Sequence, residues 1–249
     1  WPGLVGSEMC IRDRNKLYLN KGDFQFEDIT DVAGVGGEKS WSTGVSLADI
    51  NADGFLDIYV SNSGDIKGDN KQNELFINNG DLTFTEMANE YGLDDKGYST
   101  HAAFFDFDRD GDLDCYLLNN SYKGGFRITS IGKDQRPVRD EVGGDKLFEN
   151  DNGKFIDISE EAGIYGSVIG FGLGVTVGDA NNDGWMDIYV SNDFFERDYL
   201  YINNQDGTFS ENLETMIKSI SAASMGADMA DINNDLSLIH IWRCRRVLV

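Results

Sequence analysis

The chain has 249 residues, with 44 acidic against 21 basic side chains and a net charge of −23 at pH 7. That balance leaves no basic surface for nucleic acid. No run of 18 apolar residues is present to cross a bilayer as a helix.

Both ends read as foreign to the rest. Leu4 to Arg14 (LVGSEMCIRDR) is the in-frame translation of a transposon-tagging sequencing adapter. Leu236 to Arg246 (LSLIHIWRCRR) is that of the partner adapter's reverse complement, with a TGA codon read as Trp242. Residues 1–14 and 236–249 are therefore expected to be non-native, and 15–235 to carry the fold. Between 15 and 235 stand 16 basic and 42 acidic residues, a net charge of −26, with Cys115 the one thiol and His101 the one histidine. A single cysteine makes no internal disulfide and gives no sign of compartment.

In chain order, two segments alternate. Leu17 to Asn20 (LYLN) is followed by a turn and Phe24 or Phe26, then by Ala33-Gly34. Next comes an acidic loop, Asp49 to Asp57 (DINADGFLD), leading into IYVSN. The pair then recurs: Leu75 to Asn78, Phe84, Tyr91-Gly92, and a loop from Asp106 to Asp114 (DFDRDGDLD) leading into CYLLN. It recurs again: Leu147 to Asn150, Phe155, Ala162-Gly163, and a loop from Asp179 to Asp187 (DANNDGWMD) leading into IYVSN. Leu200 to Asn203 and Phe209 then precede a fourth loop, Asp231, Asn233 and Asp235, which breaks off in mid-pattern. Successive loops start 57, 73 and 52 residues apart.

The flanks of each loop alternate apolar with polar residues and favour β-branched and aromatic types, so they read as strands. Asn79-Gly80, Asn152-Gly153 and Asp206-Gly207 suit tight hairpins. Each unit thus holds about four strands: one before the acidic loop, one after it, one of the Leu-Phe-Ile-Asn type, and one carrying the Phe. In-phase four-stranded units predict an all-β fold, an incomplete β-propeller of four-stranded antiparallel blades. A β-sandwich or β-solenoid would not repeat one loop in phase with its strands.

Every complete loop places carboxylates or amides at positions 1, 3, 5 and 9, with Gly54, Gly111 or Gly184 at position 6 to permit the turn. Ca²⁺ takes six to eight oxygens, commonly including a backbone carbonyl near position 7. The expected ligands are Asp49, Asn51, Asp53, Phe55 and Asp57; Asp106, Asp108, Asp110, Asp112 and Asp114; Asp179, Asn181, Asp183, Trp185 and Asp187. Phe55, Asp112 and Trp185 are expected to contribute through their carbonyls, and Asp231, Asn233 and Asp235 form the partial fourth site. An EF-hand needs Glu at position 12, where this chain has Val60, Leu117 and Val190. Mg²⁺ tends to keep its waters and fits such a cage less well.

The pattern Asp-x-Asn/Asp-x-Asp-Gly-x-x-Asp-Ile-Tyr-Val-Ser-Asn resembles the FG-GAP/VCBS repeat of integrin-α-type propellers. Tyr98 to Asp106 and Ser191 to Asp198 resemble the ASPIC/UnbV proteins related to cartilage acidic protein. The resemblance implies a calcium-binding propeller that is secreted or at the cell surface, a periplasmic place included. The RNA-binding label often attached to such proteins does not suit a chain this acidic.

Strand direction should place the acidic loops on one face and the length-variable loops 61–73, 120–145 and 192–198 on the other. The longest holds Lys123, Arg127, Lys133, Arg136 and Arg139, either as a binding loop or as an insertion pinned by ion pairs to the acidic body. A protein or glycan ligand is expected on that face. His101 reads as a packing residue, Cys115 as a small buried apolar one. Trp41, Trp185, Phe194 and Phe195 could form a sugar-stacking platform, and most of them read as inter-blade core. Leu17, Leu19, Met225 and Met229 are expected on uncovered end faces. With no nucleophile triad, zinc-spaced His/Cys or phosphate loop, the expected function is a non-enzymatic binding scaffold. The alternative is part of a secreted propeller enzyme such as a polysaccharide lyase or hydrolase.

Overall fold

The computed structural model describes residues 14–38, 41–64, 71–121, 134–193, 196–221, 223–230 and, for the backbone, 240–245. Three consecutive four-stranded antiparallel meanders make up most of it. Blade one is β3 (Ser42–Ala48), β4 (Asp57–Asn62), β5 (Glu74–Asn78) and β6 (Phe84–Glu86). Blade two is β7 (Ser99–Phe105), β8 (Asp114–Asn119), β9 (Lys146–Asp151) and β10 (Lys154–Asp157). Blade three is β11 (Gly172–Gly178), β12 (Asp187–Asn192), β13 (Tyr199–Asn203) and β14 (Phe209–Glu211). A two-stranded sheet of β1 (Tyr18–Asn20) and β2 (Phe26–Asp28) precedes them. A second, of β15 (Ser224–Ala230) and β16 (His240–Arg245), follows. These are the blades expected from the repeat, in the expected strand order.

β16 lies in the segment that reads as adapter translation. Backbone pairing needs no particular side chains, and an open strand edge such as β15's accepts a neighbour on that basis.

Where a blade has a neighbour on each side, both of its faces are buried, which explains the apolar centres of the second strands. Successive side chains point to opposite sides of a strand. Tyr59 packs with Cys115 and Leu117 between blades one and two, while Ile58 and Val60 face the β1–β2 side. Tyr116 and Leu118 turn the other way and meet Ile188, Val190, Tyr199 and Tyr201 of blade three. Cys115, fully buried, is the apolar filler expected, and burial pushes its thiol well above the usual range. At the seams of the first strands, hydroxyls cross to the next blade: Ser46 Oγ donates to the Ala102 carbonyl at 2.6 Å and Thr176 Oγ1 to that of Ala227 at 2.7 Å. Every first strand carries a bulge near its start. There His101, half-buried, packs on Gly44, where a Cβ would come within 3.1 Å of Nδ1.

Two local differences from the expectation have plain causes. The fourth strands are short, and β2, β6 and β14 run into single helical turns, α1 (Thr30–Ala33), α2 (Ala88–Tyr91) and α3 (Leu213–Met216), whereas β10 runs into a turn. Gly34 and Gly92 close the first two with φ of 76° and 82°, a conformation that glycine adopts without strain. Met229, expected on an end face, is buried with Tyr189, Leu200 and Leu213, whereas Met225 is exposed. The register shift between Ser224 and Ala227 reverses which side of β15 faces inward.

The open face beside β1 is larger than Leu17 and Leu19 alone. Val45 and Leu47 of β3 are 58% and 62% exposed and line a cavity of about 510 Å³ with Leu17, Ile58 and Val60. Contiguous apolar surface of this kind favours association. The chain is expected to self-associate as its concentration rises; light scattering that gives a monomer mass throughout would contradict this.

Candidate cation loops

The acidic loops join the first and second strands of each blade: loop one (49–57), loop two (106–114) and loop three (179–187). The length-variable connections leave the opposite ends of the strands. Loop geometry is set by the carboxylates themselves. In loop one, Asp49 accepts the N–H groups of Asp53 and Gly54, both at 2.9 Å, and Asp53 accepts that of Phe55 at 2.8 Å. Loop three repeats this with Asp179 on Asp183 and Gly184, and Asp183 on Trp185. Positions four and six take left-handed backbone: Ala52, Arg109 and Asn182, then Gly54, Gly111 and Gly184.

The ninth position has a role that spacing alone did not reveal. Asp57, Asp114 and Asp187 are almost fully buried, and both oxygens of each accept backbone N–H groups. Asp57 holds Ile50 and Asn78; Asp114 holds Phe107 and Asn150; Asp187 holds Ala180 and Asn203, all between 2.8 and 3.1 Å. Each thereby ties its loop to the third strand. An Asn at or next to the end of the third strand completes the tie: Asn78, Asn150 and Asn203 donate through Nδ2 to the carbonyls of Leu56, Leu113 and Met186. The in-phase Leu-x-x-Asn segment was therefore the sequence signal for this joint.

Burial pushes Asp114 up to about 7 and Asp187 up to about 6, with the negative charge of neighbouring loop carboxylates adding to the rise. Asp112 is likewise raised to about 6 by burial and then by Asp110 and Asp108.

The loops are not equivalent. In loops one and three the amides of Asn51 and Asn181 donate to Asp53 and Asp183 at 2.8 and 2.9 Å. Loop two has Asp108 instead. There the oxygens of Asp106, Asp108 and Asp114 lie within 4.8 Å of one another. The buried Oδ1 of Asp112 has no hydrogen-bond partner. Three convergent carboxylates, two of which, Asp108 and Asp114, burial makes more costly to ionise, fit a hard divalent cation. Asp231, Asn233 and Asp235 lie outside the described residues.

On the opposite face the second strands end in a second repeated joint. The N–H groups of Asn62, Asn119 and Asn192 donate to Oδ1 of Asn73, Asp145 and Asp198 at 2.8, 3.0 and 3.0 Å. The hydroxyls of Tyr116 and Tyr189 donate to Asp145 and Asp198. On the longest loop, Arg136 Nε donates to the buried Glu196 at 2.7 Å, and Arg139 to the Ile164 carbonyl at 3.0 Å. Those two cations pin the loop to blade three; Lys123, Arg127 and Lys133 lie outside the described residues. The assignment of Trp41 and Trp185 to inter-blade core is corrected: Trp41 is 52% exposed, and Trp185 sits under Arg109 on the acidic-loop face. Phe194 and Phe195 lie outside the described residues.

Serial four-stranded blades, each carrying one acidic loop at the same turn, define a repeat protein of the β-propeller class. The FG-GAP-like repeat model matches residues 5–60, 63–117, 138–190 and 179–238, and the chain belongs to that family. Each of the first three matches begins ahead of the last two strands of one sheet and ends in the second strand of the next. Cartilage acidic protein 1 of Xenopus tropicalis is 29% identical over 185 residues, 71% of this chain and 25% of that protein. The Homo sapiens protein of that name is 28% identical over 178 residues, 71% of this chain and 24% of its own length. The chain thus spans about a quarter of these relatives. An Agrocybe aegerita lectin, described as recognising non-reducing terminal N-acetylglucosamine, superposes with a TM-score of 0.42 at 19% identity. That alignment covers 80% of this chain and 46% of the lectin. No helix among the described residues is long and apolar enough to cross a membrane.

Proposed function

We propose that the chain is the calcium-binding propeller region of a secreted, cell-surface or periplasmic protein, and that it serves as a non-enzymatic scaffold for a protein or glycan ligand. The observation that carries the calcium reading is the convergence of Asp106, Asp108 and Asp114, whose oxygens lie within 4.8 Å of one another. Loop two would hold the ion with Asp106, Asp108, Asp110, Asp112 and Asp114. Loops one and three would use Asp49, Asn51, Asp53 and Asp57, and Asp179, Asn181, Asp183 and Asp187, with the carbonyls of Phe55 and Trp185. A bound Ca²⁺ supplies the positive charge that offsets repulsion among these carboxylates. In loops one and three the Asn amide must turn so that its oxygen, not its nitrogen, faces the centre, a rearrangement loop two does not need.

The ligand is assigned to the opposite face because its connections differ in length while the acidic loops repeat. Variable loops on a rigid frame are where recognition residues concentrate. The extracellular setting is supported by the family relationship to cartilage acidic protein 1. Calorimetric titration of the chain with Ca²⁺ is expected to give close to three sites, loop two filling first. A folded sample that takes up none would refute the calcium reading.

A further inference from the structure

Position four of the acidic loops differs in a way that the repeat does not explain: Ala52, Arg109 and Asn182. Arg109 leaves its own blade. Its Nη2 donates to the Gly184 carbonyl in loop three, and its guanidinium lies 4.4 Å from the centre of the Trp185 ring. At the other end its backbone N–H donates to Asp106 Oδ1 at 2.6 Å. One exposed residue therefore joins the first carboxylate of loop two to positions six and seven of loop three.

The contact fixes a single peptide unit from both sides. The carbonyl of Gly184 is held by Arg109, and the N–H of the same peptide, on Trp185, is held by Asp183 Oδ1 at 2.8 Å. In loop two the corresponding N–H, on Asp112, is held by Asp110 in the same way, but Ala52 at position four of loop one has no side-chain donor with which to reach the Gly111 carbonyl. A planar guanidinium lies flat on an indole while its rigid N–H fork donates in the plane, a geometry that the compact lysine ammonium on its flexible stem does not reproduce. Gly184 suits this turn through its φ of 86°, which glycine adopts without strain.

We propose that Arg109 is a positioning residue that couples loops two and three, so that an ion held in loop two orders the Gly184–Trp185 peptide and raises the affinity of loop three. The inference rests on the calcium reading of these loops. Loop one, with Ala52, has no such link to loop two.

Trp185 reports directly on the clamp: its own emission is the spectrum of the full chain minus that of Trp185→Phe. In chelator, Arg109→Ala is expected to raise acrylamide quenching of Trp185 about twofold, because a covering group leaves one face of the ring. In a calcium titration followed at Trp185, Arg109→Ala should move the midpoint to about fivefold more calcium, the low end of inter-site couplings. Asp110→Ala, which weakens loop two, should shift that midpoint in the parent and leave it unmoved in the Arg109→Ala background. Arg109→Lys keeps the charge without the planar fork; a midpoint like that of Arg109→Ala supports positioning, and a parental midpoint overturns it. An Asp110→Ala shift of equal size in both backgrounds overturns the coupling alone. Trp185 emission that ignores calcium in every variant overturns the calcium reading of loop three and the coupling with it. Far-UV circular dichroism checks that each variant is folded.

Discussion

Adding a chelator is expected to lower the melting temperature of this chain by on the order of 20 °C. A site filled at a hundred times its dissociation constant stabilises the folded state by about 2.7 kcal/mol, so three sites together would supply about 8 kcal/mol. That is comparable to the whole net stability of many domains, about 5–15 kcal/mol. The reason for so large a share lies in the loops. Without a cation, Asp106, Asp108 and Asp114 bring their oxygens within 4.8 Å of one another, and burial already holds Asp114 at about 7. Asp110→Ala should remove roughly a third of the response, since one loop of three is lost. The measurement is a pair of melting curves, in calcium and in chelator, for the parent and the variant. Superimposable curves for the parent would refute the proposal that the loops are loaded.

Asp114→Ala should behave differently from Asp110→Ala, although both remove a carboxylate from loop two. Asp114 is 1% exposed and accepts the N–H groups of Phe107 and Asn150. Its loss leaves two backbone donors without partners at the joint between loop and third strand, each costing about 1–3 kcal/mol. An opposing effect comes from removing a carboxyl that is expensive to bury, so a net loss of about 2 kcal/mol is expected even in chelator. Asp110 is exposed, and its carboxylate accepts the N–H of the neighbouring Asp112 at 3.0 Å. In chelator its replacement should cost no more than about 0.5 kcal/mol. Urea denaturation in chelator separates the two; equal midpoints would mean that the ninth-position carboxylate is a ligand and nothing more. Asp57→Ala and Asp187→Ala share the geometry of Asp114 and should follow it.

The blade plan and the place of the acidic loops were legible because both are written in short-range pattern. Alternation along Asp57–Asn62 sets which side chains face each neighbouring blade, and a residue's side of a strand follows from parity alone. Loop shape was equally local: Asp49 reaches N–H groups only four and five residues on. Where a bulge breaks parity, as in β15, the same reasoning misplaced Met229. The helical turns after the fourth strands were missed because four-residue helices carry too little pattern to see, apart from the glycines that close them.

By itself, then, the sequence determined the strands, the phase of the repeat and the acidic character of each loop, since these depend on neighbours within a few positions. Only the tertiary structure decided what the loops are tied to. Asp114 meets Asn150 across 36 residues, Arg136 meets Glu196 across 60, and Arg109 meets Gly184 across 75. Those meetings depend on which blade edges abut and how the strands register. Backbone pairing and inter-blade packing impose that outcome on the chain as a whole, and no local run of residues encodes it.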